Sequence, residues 1–144
     1  MESGDGRGKV VAMIFTDGEI AYMADQRLGR LATQQSNGTL QASPVGFGYN
    51  AELETIDIGG SNMAASQKFR NVAANGRVAF VVDDIASVRP WVVRCLEIRG
   101  EAEAIAAPSD SASPTPGPII RIHPQRIISW GVDPEGEGRG KRSV

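Results

Sequence analysis

Gly29-Arg30-Leu31-Ala32-Thr33-Gln34-Gln35-Ser36-Asn37-Gly38-Thr39-Leu40 reads as a β-hairpin. Asn-Gly tolerates positive φ at both central turn positions, so Ser36-Asn37-Gly38 is a strong reversal signal. One strand enters the turn over residues 29–34. Its partner leaves over residues 39–49, interrupted by Ala42, Pro44 and Gly46. Outward from this hairpin the strands continue. Ile56 and Ile58 alternate with Asp57 in Thr55–Ile58. Val78-Ala79-Phe80-Val81-Val82 is a continuous apolar run suited to a buried strand over residues 77–83. Residues 94–105 and 119–128 are longer strands. The reading gives six strands and two helices, mainly β and mostly in hairpin order. A small antiparallel barrel with short helices fits this better than a parallel α/β sheet.

The first helix is signalled by Thr16-Asp17-Gly18-Glu19. The Thr16 hydroxyl accepts from the third helical N–H and Glu19 reaches back, forming a capping box. Ile20, Met23, Ala24 and Leu28 then fall on one stripe. The second helix is expected over residues 64–74, capped by Ser61-Asn62, with Ala65, Phe69, Val72 and Ala73 on one face. Asn75-Gly76 closes it as a left-handed C-terminus.

The chain has 144 residues, which fits one domain with a core of its own. Lys and Arg number 15 against 17 Asp and Glu, a net charge of -2, which argues against a dedicated nucleic-acid binder. A single cysteine, Cys95, excludes an internal disulfide and any multi-cysteine metal site. No apolar run approaches the roughly 18 residues of a membrane span. The first residues lack the order of a signal peptide, so a reducing, cytoplasmic setting is expected. Residues 1–13 and 134–144 read as polar tails around a domain of residues 14–133. The basic Arg139, Lys141 and Arg142 are expected in a solvated, flexible end. Prolines exclude a helix or central strand from the loop over residues 107–118.

Familiar catalytic arrangements are scarce. His123 is the only histidine, so three-ligand catalytic zinc is out of reach for one chain, and no metal site is expected. His123 itself reads as a partly exposed strand residue, and Cys95 as a small core residue. No Gly-x-Ser-x-Gly elbow occurs. Asp83-Asp84 would face opposite sides of a strand, and reads as a strand-ending turn rather than a catalytic pair. No catalytic acid or base stands out.

The informative region runs over residues 55–77. A strand ends in Gly59-Gly60, capping residues follow, and a helix begins. Helix starts present unpaired N–H groups to phosphate, and glycines let a ligand approach the backbone. Ser66 and Lys68 add a hydroxyl and a charge. The competing reading is an ordinary strand–helix junction with solvated polar residues. Ser43-Pro44-Val45-Gly46-Phe47-Gly48-Tyr49 is a strand broken by proline and glycine. Its bare backbone suits the face of a flat ring, and equally a β-bulge or barrel corner.

In order along the chain, Gln26-Arg27-Leu28-Gly29-Arg30-Leu31-Ala32-Thr33, Pro44-Val45-Gly46-Phe47, Ile56-Asp57-Ile58-Gly59-Gly60, Lys68-Phe69-Arg70-Asn71-Val72, Arg77-Val78-Ala79-Phe80-Val81-Val82-Asp83-Asp84, Glu97-Ile98-Arg99-Gly100-Glu101-Ala102-Glu103 and Ile127-Ile128-Ser129-Trp130-Gly131 resemble the pyridoxamine 5'-phosphate oxidase-like split-barrel proteins. They look most like the actinobacterial subgroup that uses the deazaflavin coenzyme F420. The resemblance covers about residues 14–133. It implies a six-stranded antiparallel split barrel of the FMN-binding type, and a homodimer with cofactor at the subunit interface. It implies that Pro44, Val45, Gly46 and Phe47 lie along the ring, and that Gly60, Ser61 and Asn62 sit by the phosphate-bearing arm. The family's phosphate-binding Ser-Arg-Lys segment aligns with Ser66, Gln67 and Lys68. Gln67 stands where the family has arginine, which implies a weaker or differently built phosphate site. Lys68 and Arg70, two helical positions apart, do not share a face, and the match favours Lys68. Trp130 is implied to flank the ring from the partner subunit. The implied activity is hydride transfer between coenzyme F420 and a small organic substrate. FMN in the same fold and a non-catalytic cofactor carrier are the alternatives, with a structural or nucleic-acid role more distant.

Overall fold

The computed structural model describes residues 14–109, 115–133 and 140–144. Helix α1 (Asp17–Asp25) opens with the expected capping box, both halves present between Thr16 and Glu19. Its buried face is Glu19, Tyr22 and Met23, and Ala24 is exposed. The predicted stripe through Leu28 fails because the helix stops at Asp25. Leu28 instead begins β1 (Leu28–Gln34), 54% exposed.

Strand β2 (Leu40–Gly46) pairs antiparallel with β1, and β5 (Arg77–Ser87) pairs with the other edge of β1. The turn between β1 and β2 differs from the expectation in one respect: only Gly38 takes positive φ (92°). Asn37 contributes through its side chain, whose Oδ1 accepts from the Thr39 N–H and hydroxyl.

The remaining strands are β3 (Gly48–Asn50), β4 (Thr55–Ile58), β6 (Val92–Ile105), β7 (Ile119–Trp130) and β8 (Lys141–Ser143). The order is β2-β1-β5-β6-β7-β4-β3, with β8 beside β7, eight strands in one sheet. The sequence reading missed two. Its strand over residues 39–49 divides at Phe47: β2 stays on β1, while β3 crosses to β4. The two edges of the sheet are therefore joined by a single residue, and the sheet must curl round to bring them together. This is the split antiparallel barrel that the sequence predicts. The other missed strand, β8, lies in the expected tail. It pairs with β7 at Arg126, Ile127 and Ile128, on the edge that β4 occupies further along. The flexible end predicted from residue 134 is thus corrected for its last residues. The expected tail over residues 1–13, and residues 110–114 and 134–139, lie outside the described residues.

Inward positions of the strands build the core: Leu31, Ile56, Ile58, Phe80, Val82, Leu96, Ile98, Ile120, Ile122 and Ile127. The register of β6 and β7 shifts between Arg99 and Gly100, leaving Gln125 as an extra residue and admitting Pro124 to an interior strand. A Cβ on Gly100 would lie 2.1 Å from the His123 carbonyl oxygen, so this bulge requires glycine. Strands β5 and β6 are longer than expected, and Asp83-Asp84 lie inside β5 rather than in a turn.

Two buried carboxylates tie the layers together. Asp57 on β4 accepts from both Nε and Nη2 of Arg121 on β7, each at 3.0 Å, and from Asn50 and Thr55 at 3.1 Å. Glu19 on α1 accepts from Arg142 Nη1 and Nη2 and from the Ser129 hydroxyl. Arg142 Nη2 also donates to the Ile14 carbonyl at 2.7 Å. Burial raises the Glu19 carboxyl, but these donors, with the Thr16 N–H, outweigh it and hold the group below the usual carboxylate range.

Candidate functional site

The residues singled out by the sequence fall in three places. The first is the end of β2. Pro44 and Gly46 are exposed, Val45 is buried, and Phe47 is half-buried. Phe47 is pinned by an edge-to-face contact with Phe80, ring centroids 5.1 Å apart. A Cβ at Gly46 would meet only the Arg27 carbonyl oxygen, at 4.0 Å, so this stretch of backbone is bare and open. It borders a cavity of about 490 Å³ lined by Ala24, Asp25, Gln26, Arg27, Gly46 and Phe47.

The second place follows β4. Gly60, Ser61 and Asn62 are exposed, and no heavy atom lies within 4 Å of a Cβ built on Gly60. The expected single helix is in fact two pieces. Asn62 takes a left-handed conformation (φ 57°) and leads into a 3₁₀ turn, Met63–Ala65. Helix α2 (Gln67–Ala74) then starts afresh. Its cap is Ser66, whose hydroxyl accepts from the Phe69 N–H and donates to the Met63 carbonyl, and not the expected Ser61-Asn62. The C-terminus also differs. Asn75 is extended (φ −152°) and Gly76 is not left-handed; a Cβ on Gly76 would lie 2.7 Å from the Ala102 carbonyl oxygen.

Within α2 each polar side chain has a distinct role. Asn71 is buried, donates to Thr33 on β1 and Gln41 on β2, and accepts from Gln67. This fastens the helix to the strand pair whose far end is Gly46. Gln67, standing at the family's arginine position, is engaged by Asn71 and Arg70. Arg70 donates to Gln67 Oε1 and the Ala65 carbonyl. Lys68 is half-buried and makes no hydrogen bond or ion pair among the described residues. Of the two basic residues on this helix, Lys68 keeps its charge available.

The third place is the outer face of the barrel. Trp130 pairs with Cys95 across β7 and β6 and is 52% exposed. Paired residues share a face, so Val81, Ile85, Val93 and Ile128 lie on the same side as Trp130, with the charged Asp83 and Glu97 set among them. The sequence reading did not find this apolar outer stripe, because a run such as Val78 to Val82 hides which alternate positions face out. Nor did it single out Asn71, or Asp25 and Arg27 beside the cavity. The only sequence sign of the last two was a pair of charges at a helix–strand joint.

Among the described residues, no cluster of histidine, cysteine or carboxylate side chains is placed to hold a metal. His123 is an exposed strand residue beside Glu103, and the buried Cys95 thiol is pushed up to about 11, chiefly by burial. Tyr22 donates to Asp84, which Arg94 also grips; burial and the neighbouring carboxylate raise the phenol. No helix among the described residues is long and apolar enough to cross a membrane.

The family described as pyridoxamine 5'-phosphate oxidase matches residues 16–131. The chain is 46% identical over 122 residues to the 5a,11a-dehydrotetracycline/5a,11a-dehydrooxytetracycline reductase of Streptomyces rimosus, covering 84% of this chain and 86% of that one. Among solved structures, a conserved hypothetical protein of Mycobacterium tuberculosis is similar with a TM-score of 0.64 at 21% identity, over 92% of this chain and 93% of that one. A structure described as an F420 reductase is similar with a TM-score of 0.53 at 25% identity, over 70% of this chain and 88% of that one.

Proposed function

Because the chain belongs to the pyridoxamine 5'-phosphate oxidase family, we propose that it is an oxidoreductase using coenzyme F420 to reduce a conjugated carbon–carbon double bond in a polycyclic substrate. The observation that carries this reading is the 46% identity, over most of both chains, to a reductase of dehydrotetracyclines. The likeness to an F420 reductase favours the deazaflavin over FMN.

The side chains at these positions fit a flat molecule with an anionic arm. Lys68 offers an unspent ammonium at the first turn of α2. Open, Cβ-free backbone at Gly60 allows close approach of the arm, and Gly46 allows approach of the ring. Gln67 makes no cation of its own available, so Lys68 is the residue that holds the arm's charge. When bound, the reduced cofactor supplies a hydride to one carbon of the double bond, while solvent supplies the proton to its neighbour. The protein's share is to hold both partners face to face, with the protonated carbon left open to solvent.

We further propose that the working form is a homodimer, joined through the stripe of Val81, Ile85, Val93, Ile128 and Trp130, with the cofactor beside the joint. An outward face of an antiparallel sheet ordinarily carries polar residues; here Asp83 and Glu97 are interspersed with large apolar side chains, of which Ile85 and Trp130 are more than half exposed and gain from a cover.

Parallel titration with coenzyme F420 and with FMN, followed by turnover of a dehydrotetracycline with the reduced cofactor, tests the reading. F420 binding with turnover is the expected result. Tighter FMN binding selects the flavin alternative. Binding of either without turnover of any conjugated acceptor selects a carrier, and binding of neither removes the oxidoreductase reading.

A further inference from the structure

We propose that the cavity at the joint of α1 and β1 is the acceptor subsite, and that it recognises a zwitterionic fused-ring molecule bearing an acidic enol and a basic amine. The proposal rests on the oxidoreductase reading above and adds which end of this chain holds the substrate, and by what charges. The cavity, about 490 Å³, is open to solvent and lined mainly by polar surface, so it suits a ligand that carries charges of its own. It shares Gly46 and Phe47 with the strand expected to lie along the cofactor ring, so a molecule in it abuts that ring.

Its lining carries two charges of opposite sign. Arg27 and Asp25 are exposed; neither makes a hydrogen bond or ion pair among the described residues, and Asp25 lies close enough to Arg94 to favour its charged form. Most other charged side chains near this corner are already satisfied: Arg30 by Asp83, and Arg94 by Asp84. A planar guanidinium matches two oxygens of an enolised 1,3-dicarbonyl in a fork. Asp25 is the last residue of α1, whose final turn contains no basic side chain. The carboxylate and the negative end of the helix dipole together favour an ammonium there. Phe47, held edge-to-face by Phe80, is the aromatic member of the lining.

The test uses the protein loaded with whichever of F420 or FMN it binds, and two probes: tetracycline and its 4-dedimethylamino derivative. Tetracycline carries the enolised dicarbonyl and the amine; the derivative lacks the amine. Binding of each probe is measured by calorimetry for wild type, Arg27→Gln and Asp25→Asn. Both replaced side chains are exposed, and thermal melts check that the fold is unchanged. Loss of a charged hydrogen bond is expected to weaken tetracycline about tenfold or more in each variant, while cofactor affinity stays within about twofold. The derivative should lose affinity in Arg27→Gln and be indifferent to Asp25→Asn. If the loaded wild type does not bind tetracycline, or if neither variant changes its affinity, the subsite is overturned while the oxidoreductase reading stands. If wild type binds neither cofactor yet binds tetracycline through Arg27 and Asp25, the subsite stands and the oxidoreductase reading falls.

Discussion

Glu19 is buried completely in its charged form, and a charge in that position is tolerated only when donors surround it. Arg142 is the cationic donor. Arg142→Ala is expected to destabilise the protein by about 3 kcal/mol at neutral pH, read by urea unfolding, because it leaves a buried charge unpaired. The sign of the pH dependence follows from the direction of the shift. Glu19 titrates below its ordinary 4.5 in the folded state, so it contributes stability that is present above that value and lost as pH falls through the folded value. Without Arg142, burial alone would raise the carboxyl. The gap between wild type and Arg142→Ala should therefore shrink on acidification; a gap independent of pH would show that the pair matters only through packing. Lys68 belongs to the same scale but to binding. Lys68→Ala is expected to weaken F420 by roughly 1.5–3 kcal/mol with no change in melting temperature, measured by fluorescence titration.

Among the elements, α2 shows what local sequence signals convey and what they omit. Its position was legible from the apolar spacing of Phe69 and Val72. Its start was not, because Ser61, Asn62 and Ser66 are all plausible caps and only tertiary contacts decide among them. Met63 is buried and anchors a separate 3₁₀ turn, which leaves Ser66 as the cap. Ser66→Ala is expected to cost about 1 kcal/mol of stability by thermal unfolding. The docking residue Asn71 was equally hidden: an asparagine in a helix reads as a solvated position until Thr33 and Gln41 are brought alongside. Strand β8 was illegible for a related reason. Three residues flanked by glycine and charge carry no strand signal, and Lys141–Ser143 becomes a strand only because β7 offers a free edge. Deleting residues 140–144 should lower the melting temperature at least as much as Arg142→Ala, and an unchanged melt would refute the docked strand.

For the whole molecule, the antiparallel barrel was readable because its information is local and repeated: one Asn-Gly reversal, alternating isoleucines, long apolar runs. The closure was not, since it depends on Phe47 sending the chain across from β1's partner to β4's. No periodicity marks such a crossing; proline and glycine nearby only permit it. The outer apolar stripe likewise emerges only when register places Ile85 opposite Val93 and Trp130 beyond Cys95. If that stripe joins two copies, Trp130→Glu is expected to shift sedimentation from dimer toward monomer and to weaken cofactor binding with it. A wild-type monomer at micromolar concentration would dismiss the joint.

The clasp between Glu19 and Arg142 spans 123 residues of chain. On the ribosome the acid is therefore made long before its guanidinium, and throughout that interval helix α1 has no cationic partner with which to bury it. Burial of the helix in its final, paired form therefore waits on the last strand, which makes α1 a late element of the folded barrel.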